Sequence, residues 1–139
     1  MENNPESLYP SDHSWIEENN QICLIGNRCL NCNKTMFPTK NYCDNCGNSE
    51  NFEELKVSHT GSLYSYTEVH VAPKEFEVPF IVGYVDFPED VRIFGQIDGE
   101  MDDLSLNDTM VTVLGIIRHD DNGGNIISYK FRKKDVANA

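Results

Sequence analysis

Basic residues are scarce in this chain. Its 139 residues carry 11 Lys and Arg against 23 Asp and Glu, a formal net charge of −12. The shortage runs throughout: residues 1–58 hold nine acidic and four basic side chains, residues 59–139 fourteen and seven. Nucleic-acid binders draw much of their affinity from phosphate neutralisation and carry a basic footprint. An anionic membrane surface asks for the same. Neither partner is expected. Long apolar runs are missing as well, and nothing approaches the roughly 20 residues of a membrane-spanning helix. The polar, acidic N-terminus has no apolar stretch of the secretory type, so a soluble, cytoplasmic protein is expected. Histidines are few and scattered, at His13, His59, His70 and His119, none at ligand spacing from a carboxylate or cysteine. No catalytic constellation is visible, and no activity of the chain alone is expected.

Against these shortages stands one concentrated feature. Four of the five cysteines form Cys29-Leu-Asn-Cys32 and Cys43-Asp-Asn-Cys46, ten residues apart. Two Cys-x-x-Cys pairs on facing turns close a tetrahedral thiolate site, the arrangement a structural zinc ion prefers over iron in a cytosolic ribbon. Gly47 and Asn33 follow the second cysteine of each pair, where a tight turn needs a residue tolerant of left-handed backbone angles. The pattern predicts a rubredoxin-like zinc ribbon with Cys29, Cys32, Cys43 and Cys46 as ligands. Disulfides would need an oxidising compartment, and a redox pair would need only one Cys-x-x-Cys. Cys23, in the apolar run Ile22-Cys23-Leu24-Ile25, reads as a buried, inert thiol.

The remaining chain divides by composition. Residues 1–11 read as a polar, mobile arm in which Leu8 and Tyr9 are either anchors or part of a frayed end. Residues 12–54 read as a short helix and the ribbon. Ser14 and Glu17 fit a capping box for a helix over Trp15 to Asn20, followed by a strand at 21–28. A ribbon this small needs metal ligation for stability, and Met36 and Phe37 are expected to pack on the neighbouring domain. Asn48 to Glu54 reads as a polar connector.

Residues 55–134 show period-two alternation, with strands expected at 60–72, 80–87, 91–98, 109–117 and 126–132 and a tail at 135–139. Five strands, a longer connection between the third and fourth, and glycines inside strands at Gly83, Gly95 and Gly115 suggest an OB-fold barrel, an open meander or sandwich half being the alternative. The fold class is therefore mainly β. Alternation puts Leu63, Ser65, Thr67, Val69 and Val71 on one face of the first strand and Tyr64, Tyr66, Glu68 and His70 on the other. In the third strand it puts Val91, Ile93, Gly95 and Ile97 inside and Arg92, Phe94 and Gln96 outside. The outer face is aromatic, suited to a protein interface and, in an OB fold, to base stacking. The charge favours the interface. Phe76, in the loop from Pro73 to Pro79, either docks on a partner or packs back on the barrel.

Trp15, Cys29-x-x-Cys32, Phe37-Pro38, Cys43-x-x-Cys46, Gly61-Ser-Leu-Tyr-Ser-Tyr-Thr67, the Pro73–Pro79 loop and Tyr129-Lys-Phe131 occur in that order. Over residues 12–133 this resembles the zinc-ribbon plus OB-fold proteins, catalogued as a domain of unknown function and associated with acyl-CoA enzymes. The resemblance implies a non-catalytic subunit of an acyl-CoA-processing complex. Its partner would be a thiolase-fold enzyme, of benzoylsuccinyl-CoA or acetoacetyl-CoA type, or alternatively an enoyl-CoA hydratase. The small subunit would help hold coenzyme A. A nucleic-acid-binding ribbon and OB module is the other reading. Relatives often carry arginine after the Phe-Pro of the ribbon, where this chain has Thr39-Lys40. Coenzyme A is polyanionic, and Arg28, Lys34 and Lys40 are the basic residues beside or between the ribbon cysteines. They are the candidate coenzyme A contacts, or else solvated surface charges. Lys130, Arg132, Lys133 and Lys134 form a second basic cluster.

Overall fold

The computed structural model describes residues 14–134, so the arm at 1–11, His13 and the tail at 135–139 lie outside the described residues. A ribbon sheet is built on β2 (Gln21–Cys29), which pairs antiparallel with β1 (Trp15–Glu18), β3 (Thr35–Met36) and β4 (Phe52–Lys56). Five further strands, β5 (Thr60–Val69), β6 (Phe80–Phe87), β7 (Val91–Asp98), β8 (Thr109–His119) and β9 (Asn125–Lys133), close a barrel in the order β5-β6-β7-β9-β8. All five barrel strands lie where alternation put them. Only β7 and β9 run parallel, through Ile97↔Phe131 and Asp98↔Arg132.

The expected helix at Trp15 to Asn20 is not there. Trp15–Glu18 is a strand, and Asn19 and Asn20 make a two-residue turn with φ of 54° and 64°. Two successive residues at positive φ give the hairpin turn whose twist matches the flanking strands. The turn pairs Glu18 with Gln21 and brings Trp15 opposite Leu24. That pairing packs the half-buried Trp15 against the barrel core, a gain that one capping box cannot match. The stretch read as a connector, Asn48 to Glu54, likewise holds the start of β4, whose Glu53 and Glu54 are exposed while its backbone pairs with β2.

The core joins both units. Leu63, Val85, Ile93, Ile97, Met110 and Phe131 fill the barrel, Leu104 reaches in from the β7–β8 connection, and Leu24 and Val57 contribute from the ribbon side. Phe37 packs on the same core and meets Tyr129 edge-on at 5.4 Å, while Met36 is buried with the cysteines instead. Val57 N–H donates to Leu24 O at 2.8 Å, and Glu89 accepts from both the N–H and the hydroxyl of Ser58, at 3.0 and 2.7 Å. The passage from ribbon to barrel is therefore pinned on both sides.

One residue inverts the expected faces of β5. Leu63 pairs with Val85 but Ser65 with Tyr84, which leaves Tyr64 as a bulge. Past it the alternation flips, so Tyr66 packs on the core and donates from its hydroxyl to Leu104 O at 2.8 Å. β7 keeps the expected faces, with Ile93, Gly95 and Ile97 buried. Gly83 and Gly95 mark close approaches. A Cβ at Gly83 would stand 2.2 Å from Ser65 O, and one at Gly95 2.8 Å from the Phe131 ring. Phe76 stacks on Phe80 with centroids 5.4 Å apart, so the loop packs back on the barrel.

Candidate metal centre

The two cysteine turns are built alike. In the first, Cys29 N–H donates to Lys34 O (2.9 Å) and Asn33 N–H to Cys29 O (2.7 Å). In the second, Cys43 N–H donates to Asn48 O (2.8 Å) and Gly47 N–H to Cys43 O (2.8 Å). Asn33 and Gly47 sit at φ of 68° and 81°, the backbone state anticipated for them. The first turn joins β2 to β3; the second is held beside it by burial of Cys43 with Cys29 and Met36.

All four sulfurs lie within 4.8 Å of one another, with Cys29–Cys46 at 3.5 Å and Cys32–Cys43 at 3.7 Å. A regular tetrahedron of zinc–sulfur bonds of about 2.3 Å has edges of about 3.8 Å, so the donor set and its spacing fit a zinc ion. Four thiolates saturate such an ion and leave no position for a catalytic water. A metal held there would serve structure.

Asn48 escaped the reading of residues 48–54 as a connector. Its buried side-chain amide donates to the Cys29 sulfur at 3.3 Å and to Asn51 O at 2.6 Å, and its carbonyl oxygen accepts from the N–H groups of Glu50 and Asn51. One side chain thus shapes the segment leading to β4 and supports a metal ligand. Its position two residues after Cys46 was the available signal. Losing such a partner typically costs 10–100-fold in metal affinity. Asn48→Ala is expected to lower zinc affinity by about that factor, read by competition with a chromophoric chelator.

The sulfurs do not titrate alike. Burial opposes ionisation of Cys29. The Asn48 side chain, the backbone N–H groups of Cys32 and Asn31, and the Cys46 thiol all favour its thiolate, and its pKa falls to about 6. The Asn48 N–H favours the Cys46 thiolate, but the Cys29 sulfur, burial, and the sulfurs of Cys32 and Cys43 push its pKa up to about 12. The coupled sulfurs therefore share thiol protons in the metal-free cluster at neutral pH. Loading must expel at least one of them, so apparent affinity rises with pH near neutrality, by about tenfold per pH unit for each proton released. Calorimetry in buffers of different ionisation enthalpy reads that proton directly. Cys23 is buried with its pKa raised by burial, an inert thiol.

The three cations expected beside or between the ribbon cysteines each meet a carboxylate. Arg28 bonds Glu53 across the β2–β4 pair at 2.7 Å. Lys34 bonds Asp44 at 2.7 Å, and Lys40 reaches the other oxygen of Asp44 at 3.7 Å. The Lys34 partner holds the Asp44 carboxyl below its usual range. Lys34 and Lys40 thus converge on the second cysteine turn, while Arg28 is drawn towards β4. In the C-terminal cluster Lys130 bonds Asp98 and Lys133 reaches Asp108, whereas Arg132 and Lys134 are exposed with no ion pair among the described residues. His59 bonds Ile22 O, and His70 and His119 lie beside Glu68 and Glu77 at the surface. Among the described residues no helix is long and apolar enough to cross a membrane.

The barrel residues match a known domain. The family profile described as the ChsH2 C-terminal OB-fold domain covers residues 54–115. A DUF35 domain-containing scaffold protein of Methanocaldococcus jannaschii is 37% identical over 128 residues, 90% of each chain. The chain belongs to the DUF35 OB-fold family. The benzoylsuccinyl-CoA thiolase subunit BbsA of Geobacter metallireducens is 38% identical over 110 residues, covering 79% of this DUF35 chain and 74% of BbsA. Among solved structures, the Ltp2-ChsH2(DUF35) aldolase aligns with a TM-score of 0.60 and 26% identity over 80% of this chain and 84% of its own.

Proposed function

We propose that the chain is the non-catalytic, zinc-binding subunit of an acyl-CoA-processing complex and pairs with a thiolase-fold enzyme that makes or breaks a carbon–carbon bond. The observation that carries this reading is the similarity to a benzoylsuccinyl-CoA thiolase subunit, which extends over most of both chains. Two features of the chain agree with it. The thiolates form a closed site that can hold a metal but offers no open position for chemistry. The serine hydroxyl that meets a carboxylate among the described residues, Ser58 against Glu89, is bound together with its own N–H in the link between ribbon and barrel.

In this reading zinc fixes the ribbon, and Arg28, Lys34 and Lys40 help hold the phosphates of coenzyme A bound mainly by the partner. Lys34 and Lys40 would exchange Asp44 for phosphate, an exchange with little cost because both groups are exposed. The thiol-rich site suits a reducing cytoplasm. An affinity-tagged chain expressed in its source cell is expected to retain a thiolase-fold protein at fixed stoichiometry through size exclusion. Recovery of the tagged chain alone, or with nucleic acid, would sink the proposal.

A further inference from the structure

The outer face of β5, β6 and β7 carries more exposed aromatic surface than an isolated chain needs. Tyr64, Tyr84 and Phe94 are 49%, 42% and 49% exposed on neighbouring strands. Contiguous apolar surface of this kind marks interaction sites. We propose that this face is where the enzyme partner docks, on a partner surface with an apolar groove edged by lysine and arginine. The proposal rests on the reading of the chain as an enzyme subunit.

Three features set this face apart from chance exposure. The first is the bulge, which adds Tyr64 to the strand and aims it outward beside Arg92. The second is order in the free chain. Tyr84 and Phe94 meet edge-on at 5.3 Å, the Arg92 guanidinium lies 3.4 Å over the Tyr64 ring, and Asp86 grips Arg92 through two bonds of 2.6 and 3.1 Å. Side chains already fixed lose little entropy on docking. The third is charge. Arg92 is neutralised by Asp86 within the patch, so its burial leaves no unpaired ion.

Charge also selects the occupant. A second copy would bring two chains of net charge −12 face to face. Nucleic acid would meet a lone guanidinium, Arg92, on a chain of net charge −12, too little for phosphate binding. A protein with a basic rim gains from the same field that repels both. Tyr and Arg are the residue types in which interface hot spots are enriched.

The test uses the full zinc-loaded chain and the enzyme subunit purified with it. The variant Tyr84→Glu/Phe94→Glu is expected to weaken the complex at least about 100-fold, since each ring is an anchor residue. Tyr84→Phe is expected to bind like the parent, and Ile16→Glu, at a 40% exposed position on β1 of the ribbon sheet, to stay within about twofold. Should the double variant fold poorly, radical footprinting of the unmodified chain decides. Tyr64, Tyr84 and Phe94 are expected to lose reactivity on complex formation.

A folded double variant that binds at parental strength, or rings that stay reactive in the complex, would overturn the docking face while leaving the subunit reading intact. Failure of the parent chain to form any complex would remove both. Dimerisation of the chain alone, or RNA binding, abolished by the double variant would assign the face to another occupant and also overturn it.

Discussion

Stripping the metal with a strong chelator is expected to lower the melting temperature of the whole chain by at least about 15 °C, and Cys43→Ser to do much the same. Without metal, the cysteine turns have, among the described residues, only Met36 and Phe52 packed about them as apolar support. That is too little to hold a two-residue β3 in place. The loss does not stop at the ribbon. Leu24 at the centre of β2 and Val57 just after β4 are fully buried in the barrel core, with Trp15 and Phe37 packed on it. If β2 frays, these side chains leave that core together. Calorimetry of loaded and stripped protein checks this. A single unfolding transition that moves as one unit is the expected result, and a barrel that melts unchanged would show the two parts to be independent.

Phe131→Ala is the second large effect, expected to destabilise the chain by about 3–5 kcal/mol. Phe131 is fully buried on β9, packs against Phe87 at 5.9 Å and Tyr129 at 5.7 Å, and occupies the room left by Gly95. It also stands in the short parallel contact that closes the barrel, opposite Ile97. Truncation leaves a cavity that rigid strands on every side cannot collapse to fill. Urea unfolding is expected to show a lower midpoint with an unchanged slope.

Local signals in the sequence exposed some of this and hid the rest. Cysteine spacing showed the ribbon because metal geometry demands a fixed spacing. Alternation showed the five barrel strands because one face of each is buried. The helix expected at Trp15 failed because a capping box is a local signal, whereas the Asn19-Asn20 turn acts together with the distant burial of Trp15. Tyr66 was placed on the wrong face because a bulge costs no residue type that marks it in advance. β4 stayed hidden because Glu53 and Glu54 look like linker, yet an edge strand needs only its backbone to pair. The carboxylates facing Arg28 and Lys34 lie 25 and 10 residues away, beyond any local pattern. Asn48 shows the same limit. Its amide serves a cysteine 19 positions earlier.

Turnover by the purified partner enzyme, with and without the zinc-loaded chain, tests the central claim most directly. The chain alone is expected to show no turnover of acyl-CoA, and the partner alone only a small fraction of the rate reached when both are present. A partner that turns over at its full rate without the chain would contradict the claim.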